Sequence, residues 1–230
     1  MVDNTEPVSQ AEEWNRFHAD RIKSSYPRWP NEAMLKVLFG SYSRQPTRPQ
    51  PGWSVLDVGC GFGNNLVPFA DLGCQCHGIE IHDEITALAR EVLALRGYEA
   101  EFRTGSNRMV PYPDQSFDLV LSINAIHYEG NEELVLAALH EFRRVLRPGG
   151  LLYLSTVGPE HEMYLRAKPL GNHLYRIQNY DFRNGQRFFF FDTAHDLERY
   201  CAKVFEGVEV GRVTERLFTM TIDHLIALCR

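Results

Sequence analysis

A run of glycines and one carboxylate have the clearest chemical meaning in this 230-residue chain. The run is Gly59-Cys60-Gly61-Phe62-Gly63, and the carboxylate is Glu80. Glycines let the backbone approach a ligand closely, and a helix that starts after the turn aims free N–H groups at that ligand. A carboxylate about twenty residues further on, at a strand end, can accept hydrogen bonds from a ribose diol. Together they predict a nucleotide-like ligand.

The spacing of the glycines distinguishes two classes of such ligands. Dinucleotide-binding turns follow G-x-G-x-x-G, in which a pyrophosphate rests on the start of the helix. Here the third glycine comes one residue earlier, and Asn64 occupies the place of the last glycine. The spacing disfavours NAD, but an NAD oxidoreductase remains an alternative that cofactor binding would test.

The order of the elements predicts the frame that positions these residues. Strands are predicted at 53–58, 76–81, 99–103, 117–123 and 151–156, alternating with helices that end near Gly73, Gly97 and Pro148. Such alternation indicates a parallel sheet with helices on both faces, and ligands of these sheets lie beyond the carboxyl ends of the strands. Two further strands, near 208–213 and 222–229, are expected to pair antiparallel.

Four segments, taken in order, resemble the motifs of class I methyltransferases, of the type 11-like group, that depend on S-adenosylmethionine. The first is Val55-Leu56-Asp57-Val58 followed by the glycine turn; the others are Gly78-Ile79-Glu80-Ile81, 113–120 and 146–150. The resemblance covers roughly residues 53–156 and resumes weakly near Phe190. It implies a single Rossmann-like α/β domain with a mainly parallel seven-stranded sheet, order 3-2-1-4-5-7-6, and an antiparallel last strand.

The resemblance also implies a cofactor site, with S-adenosylmethionine as donor and S-adenosylhomocysteine as product. Asp57 and the glycine turn would lie at the methionine portion, Glu80 at the ribose and Ile81 on the adenine. Where the family commonly has Gly-Asp-Ala after the third strand, this chain has Gly105-Ser106-Asn107, so Ser106 or Asn107 is expected to accept from the adenine amino group. The predicted cofactor contacts are Asp57, Gly59, Cys60, Gly61, Gly63, Asn64, Asn65, Glu80, Ile81, Ser106, Asn107, Asn124 and Ala125.

Catalytic candidates lie where the acceptor would meet the methyl group. His127 follows the fourth strand, and its ordinary pKa suits a general base near neutrality; the alternative is a ring that packs beside the cofactor. Asn124 is expected to position the amino acid end of the cofactor or the acceptor. Tyr26 could face the sulfonium or the acceptor, although aromatic residues at the spacing of those around it more often serve simple packing.

Two regions outside the core pattern are expected to complete the acceptor site. Residues 1–50 are predicted to form a helical lid and linker, and residues 51–230 the methyltransferase domain with a substrate-side insertion at about 158–187. The insertion is rich in rings and basic groups that suit a polar, even anionic, small molecule or simply fold it onto the sheet. These residues are His161, Tyr164, Arg166, His173, Tyr175, Arg176 and Tyr180.

Composition narrows the remaining classes. A net charge of −6 disfavours nucleic acid, and no apolar run is long enough for a membrane span. The five cysteines and the scattered histidines lack metal-site spacing, so no metal is expected. The unpaired set of thiols indicates a cytoplasmic protein. A monomer or a homodimer is expected. The predicted function is methyl transfer to an O or N atom of a small polar molecule; the alternative is a noncatalytic cofactor-binding regulator or scaffold.

Overall fold

A seven-stranded sheet forms the centre of the fold in the computed structural model, which describes residues 29–44, 46–181 and 183–230. Its strands are β1 (Ser54–Val58), β2 (Gln75–Glu80), β3 (Glu101–Thr104), β4 (Phe117–Ile123), β5 (Leu146–Val157), β9 (Val208–Arg216) and β10 (Thr221–Cys229). The helices are α1 (Glu32–Phe39), α2 (Val67–Asp71), α3 (Asp83–Ala94), α4 (Glu132–Val145), α5 (Glu162–Leu165) and α6 (Ala194–Cys201).

The strand order is β3-β2-β1-β4-β5-β10-β9. The first five strands run parallel, β10 pairs antiparallel with β5, and β9 pairs antiparallel with β10. The predicted fold class and strand order are confirmed, and the three strands of a second sheet lie between β5 and β9 in the chain. Because the sheet is parallel at its centre, the turns after β1, β2 and β4 all open at one edge.

Helices cover both faces of the sheet with apolar side chains. On one face, α1, α2 and α3 bury Met34, Phe69 and Leu93 in one cluster with residues of β1 and β4, which are Val55, Leu119 and Leu121. On the other face, α4 and α6 bury residues such as Phe142 and Leu197. Side chains cap α4 and α6 at their starts: Asn131 accepts from the Leu134 N–H at 2.9 Å, and Thr193 accepts from the Asp196 N–H at 3.1 Å. Of the described helices, none is long and apolar enough to cross a membrane.

A second, three-stranded antiparallel sheet lies in and just after the predicted insertion. Its strands are β6 (Lys168–Gly171), β7 (Leu174–Arg176) and β8 (Arg187–Phe189), and α5 precedes them. It has its own apolar cluster, formed by Val157, Met163, Ile177, Phe188 and Phe190. Because Val157 is the last residue of β5, this cluster anchors the insertion to the carboxyl edge of the central sheet.

Candidate active site at the carboxyl edge of the sheet

A cavity of about 480 Å³ opens beyond the carboxyl ends of the parallel strands. Gly59 follows β1, Glu80 ends β2, Asn124 follows β4 and Val157 ends β5, and all four line it. The insertion and β10 close its other side with Met163, Tyr180 and His224. One end is therefore built by the central sheet and the other largely by the insertion.

The glycine turn follows β1 with three residues in the left-handed backbone region. Gly59, Gly61 and Gly63 have φ angles of 72°, 54° and 74°, a conformation that costs a residue with a side chain about 1–2 kcal/mol. The Glu80 carboxylate fixes the turn, because its Oε1 accepts from the Gly61 N–H at 2.8 Å and its Oε2 from the Ile81 N–H at 3.1 Å. Glu80 is buried yet lines the cavity, so one carboxylate links the turn to the ligand space.

Replacing Gly63 by alanine is expected to destabilise the fold through two separable effects. A Cβ at this position would lie 2.6 Å from Leu93 Cδ1 and 3.2 Å from Phe102 Cζ, in addition to the strained φ. Gly97→Ala is the matched control, since it has a φ of 82° with nothing within 4 Å. We expect Gly63→Ala to lower the free energy of unfolding by about 1–3 kcal/mol more than Gly97→Ala, from overpacking. Equal losses in denaturant titrations would rule out the clash.

Asp57 lies behind the turn rather than on the cavity. It is fully buried, its Oδ1 has no hydrogen-bond partner among the described residues, and Asn65 Nδ2 donates to Oδ2 at 3.4 Å. The pKa of Asp57 is raised to about 8, mainly by burial and to a smaller extent by the nearby Glu80 charge. The hydrogen bond from Asn65 lowers this pKa and offsets part of the rise. Asn65 Oδ1 also accepts from the Asn31 N–H at 3.0 Å, so the turn is tied to the start of α1.

At one side of the cavity Ile81, Ser106 and Asn107 form a shelf. Ile81 is 43% exposed, so it offers an open apolar surface to a flat ring. The Nδ2 of Asn107 donates to the Ala125 carbonyl at 3.2 Å and to Glu129 Oε1 at 3.0 Å, which commits its donors and leaves Oδ1 as its acceptor. Glu129 is held in addition by Arg108 Nε at 2.8 Å.

His127 lines the middle of the cavity but differs in protonation from the sequence-based expectation. It is 2% exposed, its Nδ1 lies 3.3 Å from Thr156 Oγ1, and its ring packs 4.7 Å from Tyr128 and 5.3 Å from Phe188. Burial lowers the pKa of His127 well below 6.5, and the charge of Arg183 lowers it further. The assumption of an ordinary pKa was wrong, because the sequence does not reveal how completely the ring is enclosed.

Two more histidines face the far end of the cavity. His161 Nδ1 accepts from the Met163 N–H at 3.0 Å and so caps α5, and its ring lies 5.6 Å from that of His224. Burial lowers the pKa of His161 to about 4 and also lowers that of His224. Arg183 lines the same end, and its Nε donates to the Tyr128 hydroxyl at 2.7 Å.

The structure brings only part of the predicted set to the cavity. The predicted residues that line it are Gly59, Glu80, Ile81, Ser106, Asn107, Asn124, Ala125, His127, His161 and Tyr180. Those of the turn that lie in or behind it, off the lining, are Asp57, Cys60, Gly61, Gly63, Asn64 and Asn65. Tyr26 lies outside the described residues.

Several insertion residues that the sequence favoured serve the second sheet instead. The Tyr164 and Tyr175 hydroxyls both donate to Asp192 Oδ1, at 3.0 and 2.6 Å, and His173 Nδ1 lies 2.9 Å from Asp192 Oδ2. Within the described part of the chain, His173, Asp192 and Asp196 lie close enough together to hold a metal ion. In this structure Asp192 instead accepts the hydrogen bonds of the two tyrosine hydroxyls. Arg166 and Arg176 likewise lie off the cavity lining.

Sequence reasoning missed Arg183, His224 and Glu129 as lining residues. His224 follows a buried acid on β10, and it reaches the cavity only because β10 pairs with β5 in the register His224 to Val157. No local motif marks Arg183 or Glu129. The signal available for Arg183 was its place among the aromatic and basic residues of the insertion.

Comparison with known proteins identifies the domain that carries this cavity. Residues 56–154, from β1 to β5, match the family model described as a methyltransferase domain. We refer to residues 56–154 as the methyltransferase domain, after the family model that they match. The methyltransferase domain thus contains the glycine turn, Glu80 and His127, whereas Arg183 and His224 lie after the matched region.

Curated relatives of the methyltransferase domain act on small molecules. The chain is 27% identical over 150 residues to a ubiquinone biosynthesis O-methyltransferase from Brucella anthropi, covering 60% of this chain and 59% of that protein. It is 36% identical over 136 residues to ajmaline N-methyltransferase from Rauvolfia serpentina, covering 57% of this chain and 44% of that protein. The match therefore spans less than two thirds of either relative.

The fold of the methyltransferase domain also occurs in solved structures. A SAM-dependent methyltransferase from Methanosarcina mazei superposes with a TM-score of 0.64 at 20% identity, covering 79% of this chain and 94% of that one. At this identity the comparison supports the fold alone. The end of the cavity that the insertion lines lies outside the region matched by the family model.

Proposed function

We propose that the protein transfers the methyl group of S-adenosylmethionine to an oxygen or nitrogen atom of a small polar molecule. The observation that carries the proposal is one cavity of about 480 Å³ that joins a glycine turn and Glu80 at one end to His161 and Arg183 at the other. Donor and acceptor can therefore occupy a single cavity. The O- and N-methyltransferases among the relatives support acceptors of these two kinds.

At the cofactor end, each predicted contact has a stated role in the proposal. Glu80 accepts from the ribose hydroxyls while it holds the turn, and Ile81 packs on the adenine. Asn107 Oδ1 or Ser106 accepts from the adenine amino group. Asn124 and Ala125 lie between the two ends, where the amino acid portion and the methyl group would be placed. Asn65 supports the turn through its hydrogen bond to Asp57, and Asp57, Asn64 and the turn residues stay predicted cofactor contacts.

The reaction in this proposal is an in-line displacement at the methyl carbon. The cofactor supplies an activated sulfonium leaving group, so the protein mainly orients the acceptor and excludes water. Neutral His127 suits this role: a buried imidazole that stays unprotonated near pH 7 can bind the acceptor through a hydrogen bond, although it is a weak base. Tyr26 stays a candidate whose role the described residues do not address.

Substitution of His127 by phenylalanine is expected to lower the single-turnover rate about tenfold. The factor is expected to be similar at every pH between about 6 and 8. Phenylalanine keeps the ring contacts with Tyr128 and Phe188 and removes both nitrogens. Because the pKa of His127 lies well below 6.5, its protonation does not change in this window. A base with its ordinary pKa would instead lose activity as the pH falls through 6.5. A wild-type to variant rate ratio that shrinks toward pH 6 would contradict the proposal.

Turnover tests the proposed function against a noncatalytic cofactor-binding role. Full-length protein is incubated with S-adenosylmethionine and a panel of phenols, carboxylic acids and amines, and S-adenosylhomocysteine is quantified. Product formed only in the presence of one acceptor class supports methyl transfer. Cofactor binding by calorimetry without product from any acceptor would favour the regulator or scaffold. Cytoplasmic location and a monomeric or homodimeric state stay predictions.

A further inference from the structure

The tautomer of His161 is fixed by its own backbone contact. Nδ1 accepts a hydrogen bond from the Met163 N–H at 3.0 Å, so in the neutral ring the proton must be on Nε2. Among the described residues Nε2 has no hydrogen-bond partner, while the residue lines the cavity. The neutral ring of His161, a residue that lines the cavity, therefore has one N–H donor, at Nε2, and no free lone pair.

The charged side chain that lines this end of the cavity is a cation. Arg183 lines it, and its side chain is only 16% exposed. The carboxylates that line the cavity are Glu80 and Glu129, and both are engaged at the cofactor end, by the turn and by Asn107 and Arg108. Asp181 contacts Arg183 from outside the lining. Arg183 is thus ion-paired with Asp181, and of the described residues that line the acceptor end one is a cation and none is an acid.

The rest of this end is apolar and aromatic. Val157 and Met163 are buried there, and Tyr128 and Tyr180 add rings beside Arg183 and His161. Such a wall suits a flat, mostly apolar body. Arg183 and His161 supply the donors at this end, so the body needs one strongly accepting group.

We propose that His161 and Arg183 bind a carboxylate on the acceptor, which makes the preferred substrates small carboxylic acids that carry the methylated oxygen or nitrogen elsewhere. This inference rests on the proposed methyl transfer. Arg183 supplies a positive charge and directional N–H groups. His161, at the start of α5, adds a second donor. Both are specificity-determining residues in this proposal.

Binding of simple aromatic acids to the protein saturated with S-adenosylhomocysteine tests the proposal. Calorimetry compares the three hydroxybenzoate isomers with the matching hydroxybenzamides, which keep the ring and hydroxyl and lose the charge. We expect at least one hydroxybenzoate to bind about tenfold more tightly than its amide, the scale of a charge-assisted hydrogen bond. Equal binding of acid and amide, or no binding of any acid, overturns the proposal.

Two variant pairs locate the effect. Arg183→Gln is expected to abolish the preference for the acid, whereas Arg187→Gln, which removes an exposed charge from β8, retains it. His161→Asn keeps an acceptor for the Met163 N–H, as a good helix cap, but lacks a donor at Nε2; His161→Gln places an amide N–H near Nε2 and loses the cap.

The two histidine variants separate recognition from structure. Recognition predicts that His161→Asn unfolds like the wild type and binds the acid about tenfold more weakly, while His161→Gln retains most of the affinity. A merely structural histidine predicts the reverse order, and that result overturns the assignment. Methyl transfer to neutral acceptors as efficient as to acids would overturn this inference and leave the proposed function intact, whereas failure to bind S-adenosylmethionine would remove the proposed function itself.

Discussion

We expect Glu80→Ala to weaken the binding of S-adenosylmethionine by about 1–3 kcal/mol, the range for losing hydrogen bonds to a charged group. The carboxylate has two duties that alanine cannot fulfil. It would accept from the ribose diol, and it accepts from the Gly61 N–H at 2.8 Å, which holds the turn in its left-handed conformation. The loss should therefore appear in the dissociation constant for both cofactor and product.

Calorimetry with S-adenosylmethionine and its 2′-deoxy analogue divides these duties. If Glu80 binds the diol, the wild type discriminates between the two ligands and Glu80→Ala does so much less. Glu84→Ala is the control, because it removes an exposed carboxylate four residues away at the start of α3. Affinity of Glu80→Ala within twofold of this control would show that the ribose assignment is wrong.

Asp223→Asn is expected to cost about 3 kcal/mol of folding free energy, the low end for removing one partner of a buried ion pair, since Arg212 is 35% exposed. The Asp223 carboxylate is fully buried and accepts from Arg212 Nε and Nη2 at 2.7 and 2.8 Å, from the Thr214 hydroxyl and from the Glu160 N–H. Each carboxylate oxygen of Asp223 accepts hydrogen bonds from two donors. In asparagine an NH₂ group replaces one of the oxygens and would face two donors, whichever way the amide is turned.

Asp223 also positions the acceptor end without touching it. Its carboxylate and carbonyl hold Glu160 and Gly158, the residues that lead into His161, and His224 follows it on β10. Denaturant unfolding measures the stability loss, with Asp114→Asn, a 71% exposed ion-pair partner, as the control expected to cost less than 1 kcal/mol. A loss no larger than that of the control would contradict the buried-pair argument.

Much of the fold could be predicted because its signals are local. The continuous apolar run of β4 predicts a strand buried on both faces, and the glycines at 73 and 97 end two helices at φ angles of 85° and 82°. The turn and Glu80 could be paired from spacing alone, since a strand-turn-helix unit followed by a second parallel strand has a nearly fixed geometry.

The acceptor end could not be predicted in the same way. His161 and His224 are far apart in the chain and converge only through the antiparallel register of β10 on β5. Strands β6 to β8 are three or four residues long and carry little alternation, so their pattern is too short to read. The pKa of His127 depends on rings that β8 brings over it, which no local spacing reveals.

Separation of the two ends in the chain has a consequence for how this protein can diverge. In the proposed function, the donor end is encoded by residues up to Glu129, and the acceptor end mostly by residues 157–183 together with His224. Mutations can therefore accumulate in the second stretch while the cofactor is still bound, so the choice of substrate can drift under selection independently of the chemistry. The exception is β10, where His224 is adjacent to Asp223, and there a change of specificity would carry a risk to folding.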